Sequence, residues 1–203
     1  MTASATSFDD AYTTYTFSVT PDEAGASVYA LFGRAGSAMV IPPAYQVADP
    51  YGANVGGTNP ALWAAASSPA TGYSQYDSWL TVGITEGDAF GALSSIGIDW
   101  GLWREDMGLT VDDGAVFWLA PDQAPEGESV VAQLTVAAGS SGGLVLDLQG
   151  ESAGHLEAVD WRATGVRLPY GPCDPIYLGP DIGLAYIMDD ADGDGECGVS
   201  MPQ

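Results

Sequence analysis

Tyr76-Asp77-Ser78-Trp79-Leu80-Thr81-Val82-Gly83-Ile84 alternates along its length. Trp79, Thr81 and Gly83 fall on one side of an extended backbone; Ser78, Leu80, Val82 and Ile84 fall on the other. That pattern predicts a strand with one strongly apolar face and the bulk of Trp79 on its second face. A strand covered on both faces belongs in the middle of a sheet rather than at its edge.

Similar runs lie on both sides of it in the chain. Tyr12 to Thr20 alternates Tyr15, Phe17 and Val19 with Thr14, Thr16 and Ser18, which predicts a half-buried strand. Ser27 to Gly33 is apolar on both faces, and the turn before it favours a hairpin from the first strand. Met39-Val40-Ile41 can pair until Pro42-Pro43 breaks the ladder. Residues 42–76 form a long irregular stretch in which Asn59 caps a short helix opening at Pro60. Leu62 and Trp63 of that helix are expected to plug one end of the core. Further strands are predicted at Ser95 to Trp100, Ala115 to Ala120, Val130 to Ala137, Leu144 to Gln149, and Leu156 to Val166. Gly139 to Gly143 reads as a hairpin loop.

Eight or nine short strands and one short helix are the pattern of an all-β chain. The expectation is a two-layer antiparallel β-sandwich, jelly-roll-like, with one short helix and an irregular C-terminal tail. Residues 1–10 are read as a flexible N-terminus, 11–170 as the sandwich, and 171–203 as an acidic, Cys-containing tail.

Charge narrows the function. The chain has 27 acidic and 4 basic residues, a net charge of −23, and its cations are Arg34, Arg104, Arg162 and Arg167. Such a surface repels nucleic acid and anionic membranes. It attracts divalent cations and suits a salty medium. No apolar run approaches the roughly 18 residues of a membrane span, so membrane insertion is not expected. Met1-Thr2-Ala3-Ser4-Ala5 lacks the basic and apolar regions of a secretory leader.

Cys173 and Cys197 are the only two cysteines. An even pair beside acidic, Gly-rich sequence points to an oxidising, extracellular compartment and a Cys173–Cys197 disulfide. Two free thiols are the alternative. A bridge there closes a loop of about 25 residues and, in the chain-entropy model, stabilises by roughly 3.5 kcal/mol.

The strongest local signal is Asp190-x-Asp192-x-Asp194-Gly195-Glu196. Carboxylates at alternate positions, with Gly at the bend, supply part of the six to eight oxygens that Ca²⁺ takes. A helix–loop–helix calcium loop starting at Asp190 needs an acid at its twelfth position, which is Met201, so that form is rejected. A looser site of the thrombospondin-repeat kind remains, with Asp189, the Glu196 backbone, and Asp174 or Asp181 as further donors. A solvated acidic tail is the bland reading of the same residues.

Tyr12-Thr13-Thr14-Tyr15-Thr16-Phe17, the Val28–Gly33 run, Asp77 to Gly83 and Val131-Ala132-Gln133-Leu134-Thr135 occur in that order. With the Asp190-Ala191-Asp192-Gly193-Asp194-Gly195-Glu196-Cys197 segment, they resemble a β-rich module that recurs in very large secreted or surface proteins of marine microalgae and marine bacteria. In those proteins, modules alternate with short Cys-containing linkers of the Asp-Ala-Asp-Gly-Asp-Gly type. The resemblance covers residues 12–197 and implies an extracellular module with no defined activity. Such linkers usually carry further cysteines and acids, whereas this chain continues Gly198-Val199-Ser200-Met201.

Enzyme signatures are poor. His155 is the only histidine, and neither a phosphate loop nor a Cys-x-x-Cys pair is present. Trp100 and Trp103, with Arg104 beside them, form a candidate sugar platform. The competing expectation is that they cap an edge of the sandwich while Arg104 pairs with a neighbouring carboxylate. The sequence therefore predicts a non-catalytic structural or adhesive module, extracellular or at the cell surface, stabilised by Ca²⁺. Its expected partners are neighbouring modules or surface glycans and proteins. A carbohydrate-binding module is the second reading, and a glycan-active hydrolase the third.

Overall fold

The computed structural model describes residues 2–22, 26–153, 159–171, 187–189 and 198–200. In chain order the strands are β1 (Thr2–Asp9), β2 (Tyr12–Val19), β3 (Ala30–Gly33), β4 (Met39–Ile41), β5 (Ser67–Ser68), β6 (Gly72–Tyr73), β7 (Trp79–Leu80) and β8 (Leu93–Ile96). They continue with β9 (Leu109–Val111), β10 (Gly114–Trp118), β11 (Ser129–Ala137), β12 (Gly142–Glu151), β13 (Asp160–Tyr170), β14 (Ile187–Asp189) and β15 (Gly198–Ser200). One short helix, α1, covers Pro60–Trp63.

Two antiparallel sheets make the sandwich. The smaller runs β1-β2-β11-β7; the larger runs β8-β10-β3-β12-β4-β9, with β13 on the other edge of β12. Register explains the second order. β3 and β4 lie end to end along β12, through Leu31 opposite Leu148 and Val40 opposite Val145. β10 and β9 lie end to end along them in turn, through Val116 opposite Leu31 and Thr110 opposite Val40. The larger sheet is thus five strand lines wide, and two of those lines are broken, at 34–38 and at 112–113. The first break is a tight turn in which Arg34 and Ser37 exchange backbone hydrogen bonds of 3.0 and 2.9 Å.

Period-two alternation places the core. Phe17, Val19, Leu80, Val82, Ala132, Leu134 and Val136 come from the smaller sheet. Leu31, Met39, Ile41, Val111, Val116, Leu144, Leu146, Leu148, Val166 and Leu168 meet them from the larger. Removing each large apolar side chain from water contributes roughly 1.5–3 kcal/mol.

Several expectations are corrected. Residues 2–9 are a strand rather than a frayed end: Ala3 faces Phe17 and Ala5 faces Tyr15 across the β1–β2 ladder. The first two predicted strands are no hairpin, because β2 lies in one sheet and β3 in the other. The Gly139 to Gly143 loop likewise carries the chain from the smaller sheet to the larger. The last sandwich strand sits later than expected, at Asp160–Tyr170. In the tail, β14 and β15 pair, with Met188 opposite Val199.

The 76–84 stretch is buried on both faces, as its pattern predicts. Trp79 is 3 % exposed and Leu80 and Val82 are fully buried. Its regular pairing is shorter than predicted and lies at the sheet's edge. Only Trp79 and Leu80 ladder with β11. On the far side Leu80 meets Val55 of the long loop, donating its N–H to Asn54 O at 3.0 Å and accepting from Gly56 N at 3.0 Å. A loop therefore supplies the edge that a strand was expected to fill.

Candidate functional site

Buried polar chemistry collects under the 42–76 loop. Thr14, Thr58, Ser74, Asp77, Ser78 and Thr135 are all buried there. Asp77 is the hub. Its Oδ1 accepts from Val47 N at 2.7 Å and its Oδ2 from Ala53 N at 2.6 Å. Gln133 Nε2 donates to Asp77 O at 2.8 Å, and Ser78 Oγ accepts from Thr135 N at 2.9 Å. Tyr45 N donates to Thr135 O at 2.7 Å, which ties the loop to β11. Burial pushes the Asp77 carboxyl up to about 7, against the Ala53, Val47 and Ser78 N–H groups that hold it down; the charge of Asp49 adds a smaller upward push. A carboxyl near 7 is the usual mark of a general acid or base. Here the side chain is fully buried and both oxygens face loop N–H groups. It fastens the loop.

The helix forms where predicted. Asn59 Oδ1 accepts from Ala61 N at 2.9 Å and Pro60 opens the first turn. Leu62 and Trp63 are only half-buried and lie outside the core, so they do not plug it. Trp63 instead donates its indole N–H to Thr58 Oγ1 at 3.0 Å, and Ala66 is the buried residue of this segment.

The tryptophan platform is not built. Trp103 is 2 % exposed and sends its indole N–H to Pro42 O at 2.8 Å. Trp100 is half-buried, packs 5.8 Å from Trp103 between ring centres, and donates to Ser95 Oγ at 3.0 Å. Arg104 pairs with Asp106 at 3.0 Å. These residues close the sandwich edge, and Trp103 has no face free for a sugar. Trp118 and Trp161 pack against the core and donate to Val82 O at 2.9 Å and Glu151 O at 3.2 Å.

A second buried carboxylate is one that sequence reading missed. Asp147 lies between Leu146 and Leu148, where alternation turns it away from the core, yet it is fully buried. Its Oδ2 accepts from Arg34 Nε at 3.0 Å, and its Oδ1 from Ser37 Oγ at 2.6 Å and Gly165 N at 2.8 Å. Arg34 and Ser37 belong to the break between β3 and β4. Gly165, at φ 64°, sits where the β12–β13 register shifts. One carboxylate thus holds two irregularities, one on each side of β12. The available signal was an acid set in an unbroken Leu-Val-Leu-Asp-Leu run.

Asp190, Asp192, Asp194, Glu196, Cys173, Cys197 and His155 lie outside the described residues, as do Asp174 and Asp181. Strands β14 and β15 bracket residues 190–197. Among the described residues, no three His, Cys, Asp or Glu side chains gather as a metal site, and no helix is long and apolar enough to cross a membrane. Comparison with protein-family models, curated proteins and solved structures found no match.

Proposed function

We propose that this chain is a non-catalytic, extracellular structural or adhesive module whose tail is stabilised by Ca²⁺ at Asp190, Asp192, Asp194 and Glu196. One observation carries the reading. Among the described residues, the two carboxylates taken out of water, Asp77 and Asp147, have their oxygens occupied by donors that fix loops and strand breaks. The acids of the Asp112-Asp113 and Glu126-Gly127-Glu128 turns, and Glu86, are exposed. Buried acids doing structural work, and solvated acids at turns, are what a durable spacer needs.

The resemblance to repeated surface modules, and the Cys173–Cys197 disulfide expected beside the acidic segment, support the same reading. Screening the full chain against polysaccharide and ester substrates tests the non-catalytic part, and no turnover is the expected result. Turnover that disappears when His155 or one named carboxylate is replaced overturns it and promotes a glycan-active hydrolase. A glycan and surface-protein array, run with and without calcium, tests adhesion.

A further inference from the structure

Three of the four cations in a chain of net charge −23 stand on one face of the larger sheet. The register places them. Leu144, Leu146 and Leu148 of β12 face the core, so Val145, Asp147 and Gln149 face away from it. Arg167 lies opposite Val145 and Arg162 opposite Gln149. Arg162 donates its Nε to Gln149 Oε1 at 3.0 Å, and Arg34 reaches Asp147 from the neighbouring strand line. All three arginines are exposed; the Arg34 side chain keeps 55 % of its surface despite its ion pair.

From Arg162 to Arg167 the strand runs about 15 Å, and the β3 line lies about 10 Å across from β13. The same face carries half-exposed Phe32, opposite Asp147, and Phe117, opposite Ala30. Asp160 and Glu151, paired across β12 and β13, close one end of the strip. Arg104, paired with Asp106, is the fourth cation.

We propose that this outer face docks an acidic polysaccharide. Its carboxylate or sulfate groups meet Arg34, Arg162 and Arg167, and its ring C–H faces lie on Phe32, Phe117 and Val145. The proposal rests on the adhesive reading above and names its ligand class. Arginine is suited to this, because its planar fork pairs two-to-two with planar or tetrahedral oxyanions. Nucleic acid fits less well: with one charge per about 1.7 Å of duplex, it would meet the surrounding acids as well as the strip. A second copy brings −23 against −23. A polysaccharide spaces its charges further apart and places them on the strip alone.

The test is titration of the full chain, at low salt, with polygalacturonate, dextran sulfate and neutral dextran. At least one anionic polymer binds and neutral dextran does not. The double variant Arg162→Gln, Arg167→Gln keeps the parent circular dichroism and melting temperature and binds roughly tenfold or more weakly, as expected for losing charged hydrogen bonds. Arg104→Gln binds like the parent. Equal loss in Arg104→Gln, no loss in the double variant, or equal binding to neutral dextran overturns the proposal. So does sedimentation showing an Arg162- and Arg167-dependent dimer without polymer binding, or preference for a DNA duplex through the same arginines. Adhesion to an array target that survives the double variant rejects this face and leaves the adhesive reading standing. A parent chain that binds no array target fails that reading itself.

Discussion

Asp77 is fully buried, and its carboxyl is raised from 3.8 to about 7 because desolvation outweighs three backbone donors. The folded state therefore holds this proton more tightly than the unfolded chain does. The stabilisation from protonated Asp77 is complete below about pH 4 and is lost as pH rises through 7. Between pH 5 and 8 the Asp77 contribution falls away. Urea denaturation should show stability falling by about 2–3 kcal/mol across that window. Asp77→Asn should flatten this slope; an unchanged slope in the variant sinks the assignment. Ser129 behaves oppositely. It is 1 % exposed and its Oγ has no hydrogen-bond partner among the described residues. An unpaired buried hydroxyl costs about 1–3 kcal/mol, so Ser129→Ala should raise the melting temperature, and a fall would point to a partner for that hydroxyl. Neither role was legible beforehand. Asp77 is the second residue of the 76–84 stretch, but nothing local says that residues 47 and 53 return to it.

Elements were legible where one face meets the core. The alternation in Tyr12–Val19, Ser129–Ala137 and Gly142–Glu151 gave those strands because burial imposes period two. β1 was missed because Ala3 to Thr6 are small or polar and exposed, so no burial pattern marks a strand that only covers an edge. The edge of β7 was misassigned because a loop held by hydrogen bonds leaves no apolar signature. The same blindness hid the joint at Asp147, on which the broken line β3–β4 and the register shift of β13 both depend. Asp147→Ala strips Arg34 Nε, Ser37 Oγ and Gly165 N of their acceptor. Losing one side of a buried pair costs 3–5 kcal/mol when both partners are buried; with Arg34 half in water, about 2–3 kcal/mol is expected. Hydrogen exchange should speed up at residues 34–38 and 163–166 before the rest of β12 opens. Uniform loosening of the whole sheet would show that Asp147 is no local joint.

The whole molecule carries −23 with a core built to the usual pattern, so its charge must be managed from outside. Salt shortens the reach of that repulsion to about 10 Å at 0.1 M and about 3 Å at 1 M. A divalent ion does more where carboxylates are concentrated, because it coordinates as well as screens. The densest concentration is Asp189, Asp190, Asp192, Asp194 and Glu196. It begins at the last residue of β14, and β15 returns the chain to pair with that strand, Asp189 opposite Gly198. Calcium held by Asp190, Asp192 and Asp194 would be linked to that pairing, and the linkage can be measured. At free calcium of 100 times the dissociation constant, one site adds about 2.7 kcal/mol to whatever unfolds with it. Calorimetry should therefore show calcium heat, and hydrogen exchange at 187–189 and 198–200 should slow with calcium more than with sodium chloride of equal ionic strength. The triple variant Asp190→Asn, Asp192→Asn, Asp194→Asn should lose the calcium-specific part and keep the salt response. Calcium that gives no heat and slows exchange no more than sodium does would leave the segment as a solvated acidic loop.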